Sequence, residues 1–404
     1  MRSLSLVLFC TSIFTLLSCR TSTNQGGSDL ARDDRVELDP FNCRALAREN
    51  KQWSINPLRP KTPGKPTMKE AYQHLITWNN QEARKSGRTE VQMGWLAENV
   101  DFSADFTEAV FADDIPSLRK RAVRGPVQTY HLDLLTGQLK LLFLNDAGNP
   151  HCIPTNRPRI SSDKQWAVAA LEWSVTPGGG GSSSPGFGRP QYYENTRIQN
   201  LKTGAVQIIS KQNAEHRIAF SSNQSTLYAL YQESATELSP PSVSLEVFQL
   251  GSTGSWELDY VKSNHRVFQK ACGFGVSMTT NKVITVNGSD RATCRNPSVA
   301  DLASPTLAPE IIQNPALNDM AQFNSFKWIP NTSFAGGSVR RFSSFLQFTL
   351  YNLDTATWRE LSIPSKNGID ITWTGTKDGS SIIFGEMSEF KVYDLKSGTI
   401  SDLL

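Results

Sequence analysis

From about residue 95 to the C-terminus, apolar and polar residues alternate in short runs with a period of two. Clusters of Gly, Pro, Asn, Asp and Ser separate the runs. That pattern predicts half-buried strands joined by turns. Upstream, one stretch has helical spacing instead: Met68, Ala71, Tyr72, Leu75, Ile76 and Ala83. Thr67 and Glu70 stand three apart just before this face, the spacing of a capping box, and Gly87 supplies a stop. The spacing predicts one amphipathic helix over 68–86, packed on the main body. Five prolines (40, 57, 60, 63 and 66) precede it and predict an irregular, extended segment.

The strand-rich part repeats itself. An apolar strand runs into Asp/Asn-Leu-x-Thr/Ser-Gly, and an alternating strand follows. The anchor residues are Asp133, Asn200, Asn352 and Asp394, with a looser copy at Gln249. Gly137, Gly204 and Gly398 close three of these turns. An Asp or Asn at the first position accepts hydrogen bonds from its own turn, and Gly supplies a positive φ. A second polar turn precedes several copies, at Ser161–Lys164, Ser221–Gln224 and Thr376–Gly379, the last containing Asp378-Gly379. The anchors are 67, 49, 103 and 42 residues apart. The step of 103 holds two units, and the step of 67 contains a Gly/Ser-rich insertion, Gly178–Gly188, expected to be a long surface loop. The period is then about 42 to 52 residues, with room for four strands, as in the blades of a β-propeller. The expected fold is all-β, a β-propeller of six blades over 95–404, with seven as the alternative count. An N-terminal extension over 38–94 carries the one α-helix.

These turns resemble those of the six-bladed TolB-like, or WD40-like, propeller family. The matching residues are Asp378-Gly379 with Ile382-Ile383-Phe384, Asp394 with Ser397-Gly398, Asp133 with Thr136-Gly137, and Asn200 with Thr203-Gly204. The resemblance covers about 300 residues at blade level. It departs in the unit at 265–315 and in the first unit. It implies the fold and leaves the activity open, because propellers host many functions.

The first 19 residues are a separate signal. Arg2 is followed by an apolar run from Leu4 to Leu17 and then by Ser18-Cys19. The Leu16-Leu17-Ser18-Cys19 stretch resembles a bacterial lipoprotein signal, which implies removal of residues 1–18 and acylation of Cys19, with palmitate among the expected chains. Two or more acyl chains anchor stably where one does not. Arg20 stands where that family's inner-membrane retention signal has Asp, which implies the outer membrane, with the body facing the periplasm or the cell surface. Residues 19–37 are polar, with Gly26-Gly27, and read as a tether. Of six cysteines, Cys10 lies in the signal and Cys19 takes lipid. Cys43, Cys152, Cys272 and Cys294 remain, an even number expected to form two disulfides in an exported chain. Cys272–Cys294 with Cys43–Cys152 is the favoured pairing among three possible.

Composition narrows the function classes. With 41 Lys plus Arg against 38 Asp plus Glu in 404 residues, the net charge of +3 gives no support to nucleic-acid binding. Twenty Phe, nine Trp and nine Tyr build a sizeable core and exclude wholesale disorder. No G-x-S-x-G, HExxH, CxxC or G-x-x-x-x-G-K-S/T motif occurs. Histidines at 74, 131, 151, 216 and 265 are scattered, and Asp101, Asp105, Asp113, Asp114 and Asp370 are the acidic candidates for a channel metal. The resulting expectation is no catalytic residue, no metal and no cofactor: a monomeric, lipid-anchored, non-catalytic scaffold for an envelope protein partner. The alternative is a propeller hydrolase or lyase with a metal or carboxylate site in the central channel.

Overall fold

The computed structural model describes residues 52–404 other than 86, 88–95, 97–98, 114–127, 144–154, 176–190, 211–214, 222, 233–241, 264, 270, 277–281, 288–295, 302–309, 313–321, 341–344, 365–371 and 387–388. It is mostly β, with six sheets arranged as the blades of a propeller. Blade 1 runs from β2 (Val100–Phe102) through β3 (Glu108–Asp113) and β4 (Gln128–Asp133) to β5 (Gln138–Leu141), with β1 (Gln52–Ser54) added at its outer edge. Blade 2 is β6 (Thr155–Ile160), β7 (Trp166–Val175), β8 (Gln191–Asn200) and β9 (Val206–Ser210). Blade 3 is β10 (Glu215–Phe220), β11 (Thr226–Gln232), β12 (Ser242–Leu250) and β13 (Trp256–Leu258), with β14 (His265–Gln269) also paired to β12. Blade 4 is β15 (Ala271–Val276), β16 (Lys282–Asn287), β17 (Asn296–Asp301) and β18 (Glu310–Ile311). Blade 5 is β19 (Gln322–Trp328), β20 (Phe334–Arg340), β21 (Phe345–Asn352) and β22 (Thr357–Pro364). Blade 6 is β23 (Thr372–Gly375), β24 (Ser381–Glu386), β25 (Glu389–Asp394) and β26 (Ile400–Asp402). First strands meet first strands around the axis: β2 with β6, β6 with β10, β10 with β15, and β15 with β19.

Two turns repeat in chemical detail, each in four of the described blades. Between the third and fourth strands, Asp133 Oδ1 accepts from the N–H groups of Leu135 and Thr136 at 2.9 and 3.1 Å. Asn200 does the same for Lys202 and Thr203, Asn352 for Asp354 and Thr355, and Asp394 for Ser397. Gly137, Gly204 and Gly398 take positive φ, where a Cβ is strained. At Gly137 a Cβ would also lie 2.2 Å from the Ile55 carbonyl, because the N-terminal extension crosses this turn. Between the first and second strands, Ser103, Ser161, Ser221 and Thr376 start the turn and receive the N–H of Glu108, Trp166, Thr226 and Ser381 on their hydroxyls. Asp105, Asp163, Asn223 and Asp378 stand two residues on, and Phe106, Lys164, Gln224 and Gly379 take positive φ. The two turns of a blade join each other: the N–H of Leu134, Leu201, Leu250, Leu353 and Leu395 donates to Thr107, Gln165, Ser225, Ser333 and Ser380 of the preceding turn. All of these turns therefore share one face of the disc.

The ring closes without exchanging strands between its ends. All four strands of blade 6 come from residues 372–402. Closure falls to side chains instead. Helix α1 (Met68–Lys85) buries Ala71, Tyr72, Leu75 and Ile76 in one cluster with Phe102, Phe111 and Tyr130 of blade 1 and Ile383, Phe390, Val392 and Leu403 of blade 6. Its start is a reciprocal capping box: Thr67 N–H donates to Glu70 Oε2 at 2.8 Å, and Glu70 N–H to Thr67 Oγ1 at 3.3 Å. Tyr72 packs on Phe102 with ring centroids 4.5 Å apart, and Lys69 Nζ donates to the Asp402 carbonyl at 3.1 Å. No helix among the described residues is long and apolar enough to cross a membrane.

Candidate functional site

Strand parity decides which residues look across each seam. In the seam between blades 1 and 2, Val110 packs with Ile160, Ala167 and Ala169. Asp101 and His131 pair with Val110 across the sheet, so all three point to blade 2, and Glu108 shares this face two residues before Val110. From the other side Arg197, paired with Ala169, points to blade 1. The seam between blades 2 and 3 is built by Trp166, Val168 and Ile198 against Leu227, Ala229, Phe248 and Trp256.

Aligning the turns puts these seams in register. Counting from Ser103 and Ser161, Glu108 is equivalent to Trp166; counting back from Asp133 and Asn200, His131 is equivalent to Ile198. The same two positions hold Thr226 and Val247 in blade 3, Phe334 and Leu350 in blade 5, and Ser381 and Val392 in blade 6. Blade 1 alone among these carries an acid and an imidazole there. The two meet: His131 Nε2 lies 2.7 Å from Glu108 Oε2, with side chains 12% and 22% exposed. Lys164 comes across from the turn of blade 2. Its Nζ lies 3.9 Å from Glu108 Oε1, donates to Thr107 Oγ1 at 2.6 Å and pairs with Asp105. Burial works to raise the Asp105 carboxyl, but hydrogen bonds from Lys164, Ser103 and Thr107 outweigh it and hold it at about 2. The arrangement is a reachable imidazole on a carboxylate, with an ammonium beside it.

A second charged pair in this seam has its ammonium buried. Lys377, in the first turn of blade 6, reaches past its own blade to donate to Asp101 Oδ2 at 2.7 Å and to the Ile160 carbonyl. Asp101 Oδ2 also accepts the Ile160 N–H at 2.8 Å. One ammonium thus ties blades 6, 1 and 2 together. Burial pushes the Lys377 ammonium down, against the pull of Asp101. Burial first, then the Asp101 and Asp378 carboxylates, push the Tyr72 phenol up. With Lys377 only 7% exposed, this pair is a clasp rather than a site a substrate reaches.

The anchors Asp133, Asn200, Asn352, Asp378 and Asp394 and the glycines Gly137, Gly204, Gly379 and Gly398 all lie in turns and are not gathered into one site. Of the acidic channel candidates, Asp101 and Asp105 go to separate lysines, and Asp113 accepts from Asn79 of α1 at 2.8 Å. Asp114 and Asp370 lie outside the described residues, as do Cys19, Cys43, Cys152, Cys294, the tether and the 178–188 insertion. Cys272 lies in β15. Among the described residues no group of three or more His, Cys, Asp or Glu side chains is placed to hold a metal ion. Sequence reading did not select Glu108 and His131 as a pair. Their signal is positional, a charged residue where the repeat has an apolar one or a hydroxyl.

No family model matches the chain, and no curated protein matches it at a significant level. Solved structures do. The chain is similar to an oligogalacturonate lyase in complex with manganese, at 15% identity and a TM-score of 0.48, covering 75% of this chain and 77% of that one. An oligogalacturonate lyase from Vibrio parahaemolyticus matches at 14% identity and TM-score 0.48, over 74% and 75%. Pyrococcus horikoshii acylaminoacyl peptidase matches at 9% identity and TM-score 0.46, over 76% of this chain and 44% of that one. These neighbours are enzymes, which stands against the expectation of a non-catalytic chain, and the comparisons give the scaffold expectation no support. At such scores, neither substrate nor mechanism passes from them to this chain.

Proposed function

We propose that this protein is a propeller hydrolase or lyase whose acid–base pair is His131 and Glu108, held to the outer membrane by lipid on Cys19. The supporting observation is the register anomaly: among the five blades aligned, the position pair that is acid plus imidazole is also a 2.7 Å contact with partial solvent access. With Glu108 accepting from Nε2–H, the opposite ring nitrogen, Nδ1, is free to act as a base. Lys164 supplies a positive charge for a developing or resident anion. The site sits at the seam between blades 1 and 2 rather than on the central axis. The Leu16–Cys19 signal supports the anchor.

The test is turnover by the lipidated full-length chain on pools of envelope glycans, acidic glycans and peptides, with His131→Gln and Glu108→Gln beside the wild type. Either change is expected to cost about 10²- to 10⁴-fold in kcat with the melting temperature retained, the usual contribution of a general acid or base. Turnover that survives both substitutions, or absence of turnover on every pool, would overturn the reading. For the anchor, Cys19→Ala should leave the protein unprocessed or in the soluble fraction, and unchanged membrane association would defeat it.

A further inference from the structure

The third strand of each blade carries, three residues before its anchor, a residue facing the preceding blade. That position holds Arg197 in blade 2 and Lys391 in blade 6. Lys391 is matched by Asp402, 3.0 Å away. Arg197 is not matched. It is 6% exposed, its Nε is fully covered with no acceptor, and among the described residues no side-chain hydrogen bond or ion pair reaches the guanidinium. Burial alone pushes this guanidinium down, with no neighbouring charge in play. A guanidinium stays protonated in proteins, so burial without a partner is a standing cost unless an anion completes it. The side chains about it are small or apolar: Ala169 is paired beside it, Ala167 shares that face of blade 2, and Val110 packs on both from blade 1. On the facing third strand, at nearly the same height, stands His131, two residues before Asp133 as Arg197 is three before Asn200.

We infer that Arg197 is an oxyanion subsite in the blade 1–blade 2 seam, taking a carboxylate or phosphate group of the molecule whose reacting bond lies at His131. This rests on the acid–base reading for its role in catalysis, and on Arg197 alone for binding. The guanidinium fork matches a planar carboxylate in two parallel hydrogen bonds and accepts phosphate with the same donors. The substrate class is therefore an acidic one.

Binding is measured without turnover. The full-length wild-type chain is melted in rising inorganic phosphate or acetate, at ionic strength held constant with chloride, and phosphate line broadening is followed by phosphorus NMR. A saturable rise in Tm of about 4 °C or more with at least one of the two anions is expected. A response to phosphate alone, or to acetate alone, assigns the oxyanion. Arg197→Gln should abolish the rise while melting at or above the anion-free wild type, because an unpaired buried charge has been removed. Arg197→Lys should keep a weaker response, which covers the case of a Gln variant that fails to fold. No saturable shift with either anion, or an equal shift in Arg197→Gln, overturns the inference. His131→Gln should leave the anion response intact, so loss of turnover and loss of anion binding separate the two readings.

Discussion

Two neighbouring seams of this propeller are built from equivalent positions and filled in opposite ways. Between blades 2 and 3, Trp166 meets Trp256 edge-on with centroids 5.7 Å apart, and Val168, Ile198, Leu227 and Phe248 complete an apolar layer, with one buried acid, Glu246, paired to Ala229 on the same face. Between blades 1 and 2 the matching positions carry Glu108 and His131, with Lys164, Asp105, Asp101 and Lys377 above and inside them and Arg197 opposite. Apolar packing needs no exact partner and gains about 25 cal/mol for each Å² covered. A polar seam gains little net stability and demands that every group be satisfied. The positions of Glu108 and His131 hold Trp166 and Ile198 in blade 2, so the repeat itself does not require an acid and an imidazole there. The departure is thus a local one, confined to the place where the ring is also clasped and where sites that break the repeat's own rule are expected to be functional.

The clasp is where breaking this seam costs most. Lys377→Ala leaves the partly covered Asp101 carboxylate beside Ile160 without its cation, and a loss of about 1.5–3 kcal/mol in unfolding free energy is expected by urea titration. Adding Asp101→Asn should recover most of it. If Lys377→Ala alone costs under about 1 kcal/mol, then α1 closes the ring unaided and the clasp reading fails.

Converting the polar seam into its neighbour comes next. Glu108→Leu with His131→Ile places apolar side chains at the positions that hold Trp166 and Ile198 in blade 2, leaving Lys164 with Asp105 and Thr107. Replacing a partly buried, hydrogen-bonded polar pair by packed apolar residues is neutral to stabilising by about 1–4 kcal/mol. The double variant should therefore melt at or above the wild type while losing turnover. A large destabilisation would make the pair structural and remove the contrast.

The sequence made some of this plain and hid the rest for physical reasons. Turn anchors such as Asp133, Asn200 and Asp394 announce themselves because one side chain and one positive-φ glycine must sit at a fixed spacing. The first-strand turn of blade 1, Ser103–Thr107, follows the same rule but went unseen: Phe106 takes the left-handed position where Gly379 does so in blade 6. With that turn missed, the register of Glu108 was missed too, and its oddity shows only against Trp166, Thr226, Phe334 and Ser381. His131 and Glu108 lie 23 residues apart, on two strands, and Lys164 belongs to another blade. No linear motif marks such an arrangement, because its members come from separate strands and two blades.

The apolar seam offers a smaller, complementary measure. Ile198→Val removes one methylene from the layer facing Trp256 and should cost about 0.5–1.5 kcal/mol with turnover unchanged. An effect on turnover comparable to that of His131→Gln would mean that the two seams are coupled and not independent.

The smallest effect separates the seams by acid. Lys164 crosses from blade 2 to Asp105, a charged contact, whereas the corresponding crossing from blade 3 is neutral: Gln224 Oε1 accepts the Ser162 N–H at 2.7 Å. The folded Asp105 carboxyl is held at about 2, below the value of about 4 for a free aspartate. Its contribution is therefore present above pH about 4 and is lost as pH falls from there toward 2. Asp105 is half exposed and water screens its pairing, so the contribution is under about 1 kcal/mol. Asp105→Asn should flatten the stability profile of the wild type across that interval and leave it unchanged at neutral pH apart from a small constant offset. A profile identical to wild type between pH 4 and 2 would show that Lys164 does not discriminate the polar seam from the apolar one in solution.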